Sequence, residues 1–140
     1  LFANASEDIV LALRQAQVYG VGVKGTGASF TTPYGVYFDT STPNQIKIFA
    51  DADSSGTYNP GDSDIEIIKW PSTIRVASPN GLLCDSNDNT TLAITFTRPN
   101  PDAIIHGGSV LCVTDGKVSI TNGIKNALVT ITSTGQISLQ

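Results

Sequence analysis

A chain of 140 residues has the size of one domain and can bury roughly two-thirds of its unfolded surface. It carries 8 Lys+Arg against 12 Asp+Glu, a net charge of −4 with no basic block, which argues against nucleic acid as a partner because affinity there rests on neutralising phosphate. Charged residues make up only 14% of the chain while Thr, Ser and Asn are plentiful, a balance that fits an exported β-protein better than a cytosolic enzyme.

From Ser6 to about Tyr19 the residues favour helix, with Leu11, Ala12, Leu13, Arg14, Gln15 and Ala16 uninterrupted by Gly or Pro. Ile9, Leu13 and Ala16 fall on one stripe and are the expected contacts of this helix with the rest of the fold. Ser6 is the expected cap, Glu7 and Asp8 sit where the helix dipole favours negative charge, and Gly20 is the expected end. A glycine-rich connection follows, Gly20 to Gly27. Its Gly20, Gly22 and Gly25 match a dinucleotide fingerprint by letters only, since that motif needs a strand before it and a helix after it.

Beyond this point the pattern is β. Strands are expected at Pro33–Phe38, Gln45–Phe49, Asp64–Trp70, Thr73–Val76, Thr91–Phe96, Ser109–Val113, Lys117–Ile120, Ala127–Ile131 and Gln136–Leu139, separated by turns such as Pro79-Asn80-Gly81, Asp115-Gly116 and Asn122-Gly123. Short strands at this spacing imply two packed antiparallel sheets, with the helix lying across one of them.

Between the second and third strands, the segment Asp51 to Asp62 has the spacing of a calcium loop. Counted from Asp51, side-chain oxygens fall at the first, third, fifth, ninth and twelfth positions (Asp51, Asp53, Ser55, Asn59, Asp62). Gly56 stands at the sixth, where the chain must turn sharply, and the Thr57 carbonyl at the seventh. Calcium takes six to eight hard oxygens, and this spacing can bring them to one point. Position twelve is Asp rather than the usual Glu, and the flanks read as strands rather than helices. A polar hairpin loop, in which Asp, Ser and Gly simply make turns, is the competing reading.

Cys84 and Cys112, the only cysteines, stand 28 residues apart, too few for a structural zinc site and not in redox spacing. They read either as a disulfide or as two buried thiols. His106 is the sole histidine. With no nucleophile elbow and no paired carboxylates placed for acid–base chemistry, it reads as a loop residue, and no enzyme activity is expected. Asn4-Ala-Ser6 and Asn89-Thr-Thr91 are glycosylation sequons that matter only in a eukaryotic secretory pathway.

The layout resembles the soluble domain of type IV pilin-like proteins, most closely minor pseudopilins of the GspH/FimT type. The resemblance rests on Asp8–Ala16 at the helix exit, on Tyr37 and Phe38, on Ile48, Phe49 and Asp51 with the loop ending at Gly61 and Asp62, and on the terminal segment from Val129 to Ile137. It implies an α+β fold, a helix packed on two antiparallel sheets, in a single domain of residues 1–140, with 1–20 a helix remnant and 21–140 the head. It implies a non-enzymatic subunit of a type IV pilus or type II secretion pseudopilus, acting in assembly or at the tip and contacting other pilin subunits. It also implies a bacterial envelope or periplasmic location, and an inner-membrane anchor through an apolar helix upstream of Leu1. The DNA-binding branch of the family uses a basic C-terminal tail. Here the last basic residue is Lys125, so neither nucleic acid nor a small-molecule substrate is expected as a partner. A secreted, calcium-stabilised β-sandwich that binds carbohydrate through Tyr34, Tyr37, Tyr58 or Trp70 is the alternative.

Overall fold

A computed structural model describes residues 2–21, 32–97 and 102–140. One helix, α1 (Phe2–Val21), precedes twelve strands: β1 (Tyr34–Asp39), β2 (Gln45–Ala50), β3 (Ser63–Lys69), β4 (Arg75–Val76), β5 (Leu82–Cys84), β6 (Asn87–Asp88), β7 (Thr91–Phe96), β8 (Ala103–Gly107), β9 (Val110–Cys112), β10 (Asp115–Thr121), β11 (Asn126–Thr132) and β12 (Ile137–Leu139). The first sheet runs β3-β2-β1-β7-β8-β9; the second runs β12-β11-β10-β5-β6, with β4 also paired to β10. Each of these pairings is antiparallel.

The two antiparallel sheets are as expected, but the class is not. One helix against twelve strands among the described residues makes this a β-rich fold, and the pilin-like α+β expectation is overturned. The excess comes from β5, β6 and β8, short strands that the sequence pattern did not separate from turns.

The period-two alternation of the strands builds the core. Val36 and Phe38 on β1, Ile46 and Ile48 on β2, Leu92, Ile94 and Phe96 on β7, and Ile105 on β8 point inward. They meet Leu82, Val118, Ile120, Val129 and Ile131 of the second sheet in one buried cluster. Outer strand β3 is almost wholly exposed and carries Asp64, Glu66 and Lys69, charges that discourage edge-to-edge pairing.

Helix α1 closes the core by contacting both sheets, β1 and β7 on one and β11 and β12 on the other, rather than a single sheet. Ala5, Ile9, Ala12, Leu13 and Ala16 are fully buried along one stripe. Trp70, itself buried, donates its indole N–H to Asp8 Oδ2 at 3.2 Å and ties the helix to the end of β3. The helix already includes Phe2, so Ser6 is an interior buried residue rather than the cap, and Glu7 and Asp8 lie beyond the first turn. It also runs past Gly20 to Val21. The glycine connection beyond Val21 lies outside the described residues.

Cys84 and Cys112 form a disulfide, with Cα atoms 5.2 Å apart. It joins β5 of the second sheet to β9 of the first and so staples the two layers together. Beside it, Asp85 accepts backbone N–H bonds from Val113, Thr114 and Asp115 at 2.7–3.1 Å, which hold its carboxyl below the ordinary range.

Candidate metal centre

Strands β2 and β3 are joined by residues 51–62, the acidic segment, so it is a long hairpin loop and not a helix–loop–helix. It folds over the outward face of the first sheet. On that face Gly35 lies between Phe49 and Thr95, and Tyr37 between Lys47 and Ala93, with His106 beyond Ala93. Phe49 is nevertheless fully buried, because the loop covers it: the Tyr58 ring meets it edge-on at 5.1 Å.

Gly56 makes the covering possible. Its φ of +79° is left-handed, and a Cβ there would come within 2.7 Å of the His106 ring. The Gly56 carbonyl accepts from His106 Nδ1 at 3.1 Å. Since a carbonyl can only accept, this bond places the hydrogen on Nδ1. His106 therefore lies in strand β8 and clamps the loop, rather than sitting in a loop of its own.

The loop brings three of the expected ligands together. Asp51, Asp53 and Asp62 each place a carboxylate oxygen within 4.8 Å of the others, an arrangement that can hold a metal ion. Asp51 is buried, Asp53 exposed and Asp62 half-buried. Turn geometry fixes each of them. Asp51 Oδ2 accepts from the Gly56 N–H at 2.7 Å, and Asp62 Oδ1 and Oδ2 accept from the Ala52 and Asn59 N–H groups, both at 2.9 Å. Asp53 Oδ1 accepts from the Ser55 N–H at 3.2 Å.

Ser55, Thr57 and Asn59 gather around the same point in another way. Asn59 turns its amide nitrogen inward, donating within 3.3 Å to Asp53 Oδ2, Ser55 Oγ and Thr57 Oγ1. The Ser55 hydroxyl reaches both Asp51 Oδ1 and the Thr57 carbonyl. In this arrangement an NH₂ group provides the positive end that a cation would otherwise supply. Turning that amide over would present Oδ1 in its place, and the Ser55 and Thr57 oxygens complete a set of hard donors.

The electrostatics follow from like charges held close. Burial, then the hydrogen bond with Asp53, push the Asp51 carboxyl up from 3.8 to about 6. Asp53 moves the opposite way, held below its ordinary value first by its bond with Asp51 and then by Ser55. Below about pH 6 the pair thus retains a proton that a divalent cation would displace.

A second group on this face joins Tyr37 and Tyr58, which the alternative reading of the sequence names for carbohydrate, to Lys47 and Asp64, which the sequence did not single out. Tyr37 and Tyr58 stack with centroids 4.6 Å apart, and Lys47 Nζ lies 4.9 Å above the Tyr58 ring. The Tyr58 hydroxyl donates to Asp64 at 2.6 Å, and Lys47 pairs with Asp64 at 3.7 Å. Of the four aromatics weighed for carbohydrate, Tyr34 and Trp70 are buried and unavailable, whereas Tyr37 and Tyr58 remain partly exposed. The register of β1, β7 and β8 could have found the neighbourhood of Tyr37 and His106, but register is not local information.

Comparison with models of known families, with curated proteins and with solved structures finds no match for this chain. Among the described residues, no helix is long and apolar enough to cross a membrane.

Proposed function

We propose that this chain is the head of a non-enzymatic filament subunit, of the pilus or pseudopilus kind that its sequence resembles. The observation that carries the reading is the two-sided character of α1. One face is sealed against both sheets, while the opposite face carries Leu11 and Val18, each 62% exposed and seven residues apart. Two turns of spacing put them on one line, and Leu11 also lines a groove with Glu7, Val10, Arg14, Ile137 and Leu139. Single exposed apolar side chains are ordinary on a soluble domain, but two on one line of a helix suit a subunit that packs that helix among those of its neighbours. The upstream segment implied by the resemblance would hold the subunit in the inner membrane before assembly. On this reading the protein is recovered from its native cells with sheared filaments or the envelope. Recovery from the soluble fraction alone refutes it.

The acidic loop is read as a structural calcium site. The twelve-residue spacing, the three converging carboxylates and the neighbouring neutral oxygens favour a large, flexible oxygen cage over the tight octahedron that magnesium demands. A cation that binds only the folded state raises its stability by RT ln(1 + [L]/Kd), about 2.7 kcal/mol at a hundredfold excess over Kd. Millimolar calcium should therefore raise the melting temperature above that in chelator, magnesium should do less, and Asp51→Ala or Asp53→Ala should abolish the difference. Identical melting curves in calcium and chelator reduce the segment to a polar hairpin loop.

A further inference from the structure

Between the acidic loop and the turn joining β8 to β9 lies an open cleft of ≈ 220 Å³ on the outer face of the first sheet. Ala93 lies in its lining on β7, the stacked pair Tyr37 and Tyr58 supplies an aromatic wall, and Thr57, Asn59, Thr91, His106 and Ser109 supply polar atoms around it. Several of those atoms have no partner in the chain. Among the described residues, Asn59 Oδ1, Thr91 Oγ1, Ser109 Oγ and His106 Nε2 make no hydrogen bond, although Asn59 and His106 are each held in place through a different side-chain atom, Nδ2 in one and Nδ1 in the other. The cleft therefore presents free hydrogen-bonding groups, those of Asn59 and His106 held in place, beside an aromatic surface, the usual chemistry of a small-molecule site.

The lining also selects the chemistry of the ligand. It contains no Asp, Glu, Lys or Arg. The charges that border the aromatic wall are already engaged, Asp39 by the Tyr37 hydroxyl and Lys47 and Asp64 by each other and by Tyr58, so the cleft offers a charged ligand no unpaired counter-charge. The three carboxylates of the loop lie close behind Asp53's partner Asn59 and disfavour anions further. A purely apolar ligand would strand the free polar atoms. A sugar ring meets every condition: its C–H face packs on an aromatic wall and its neutral hydroxyls both donate and accept. We infer that this cleft binds a saccharide unit, seated against Tyr37 and hydrogen-bonded by Asn59, Thr91, His106 and Ser109. The site is open along the sheet, so a unit within or at the end of a longer glycan can enter it.

This inference stands apart from the filament reading but shares Asn59 with the metal centre, where a bound cation would take Oδ1 and leave Nδ2 facing the cleft. Binding is therefore measured in chelator, and its failure there leaves both other readings untouched. The test is saturation-transfer NMR and amide chemical-shift mapping with the methyl glycosides of glucose, galactose, mannose and N-acetylglucosamine. We expect saturation of ring protons of at least one glycoside, with shifts confined to residues 57–59, 91–93 and 106–109. Thr91→Val, which removes one hydroxyl at nearly constant volume, should weaken binding roughly three- to tenfold, the value of one hydrogen bond. Tyr37→Ala should abolish it while the amide spectrum beyond the cleft stays that of the folded protein. No transfer from any of the four glycosides at millimolar concentration overturns the inference. So do shifts clustered elsewhere, or unchanged binding by both variants.

Discussion

Asp51 is the residue at which the loop's chemistry is most exposed to test. Its carboxyl keeps a proton up to about 6 in the folded chain but only to its ordinary 3.8 once unfolded. Between those values the folded state binds more protons, so this contribution to stability is fully present below 3.8 and is lost as pH rises through about 6. In chelator, the stability of the native chain relative to Asp51→Asn should therefore fall between about pH 4 and about pH 7. Calcium reverses the sign, because it needs the carboxylate, and its stabilisation should grow over the same range. Thermal melts across that range, with calcium and with chelator, check both slopes. Equal slopes for the native chain and the Asp51→Asn variant would mean that Asp51 does not titrate there. The loop was legible in the sequence because its ligands are local, twelve consecutive residues with fixed spacing. The inward amide of Asn59 and the clamp from His106 to Gly56 were not, since the first depends on a rotamer and the second joins residues 50 apart.

At the level of elements, short apolar and β-branched runs announced the long strands β1, β2, β7, β10 and β11, each of which turns one face into the core, while on β7 the other face is buried as well. Strand β8 escaped because Pro101 before it and the pair Gly107-Gly108 at its end read as loop. Strands β5 and β6 escaped because two or three residues carry too little periodicity to recognise. The helix was found, but its ends were displaced: Ser6 has the chemistry of a cap, yet its side chain is buried against the head, and tertiary packing overrode the local preference. The disulfide is the clearest cross-element tie, since it joins strands of different sheets near their ends. Replacing both cysteines by alanine should cost about 2–5 kcal/mol. The loss is to be read as a lower denaturant midpoint at unchanged slope, and an unchanged midpoint would show that hydrophobic packing alone holds the layers.

For the whole molecule, the two sheets and the helix share one core, and that core leaves the outer face of α1 free. The β-rich class corrects the architecture expected from the resemblance without deciding what the exposed face is for. The filament reading makes a demand there that an isolated domain does not: Leu11 and Val18 must matter for assembly and hardly at all for folding. Exposed substitutions of this kind normally change stability by no more than about 0.5 kcal/mol. The decisive measurement is the recovery of the Leu11→Lys, Val18→Lys double variant in the sheared-filament fraction of native cells, alongside its melting temperature as purified protein. The account predicts a melting temperature close to that of the native chain together with loss of the variant from filaments. Undiminished recovery in that fraction would contradict it.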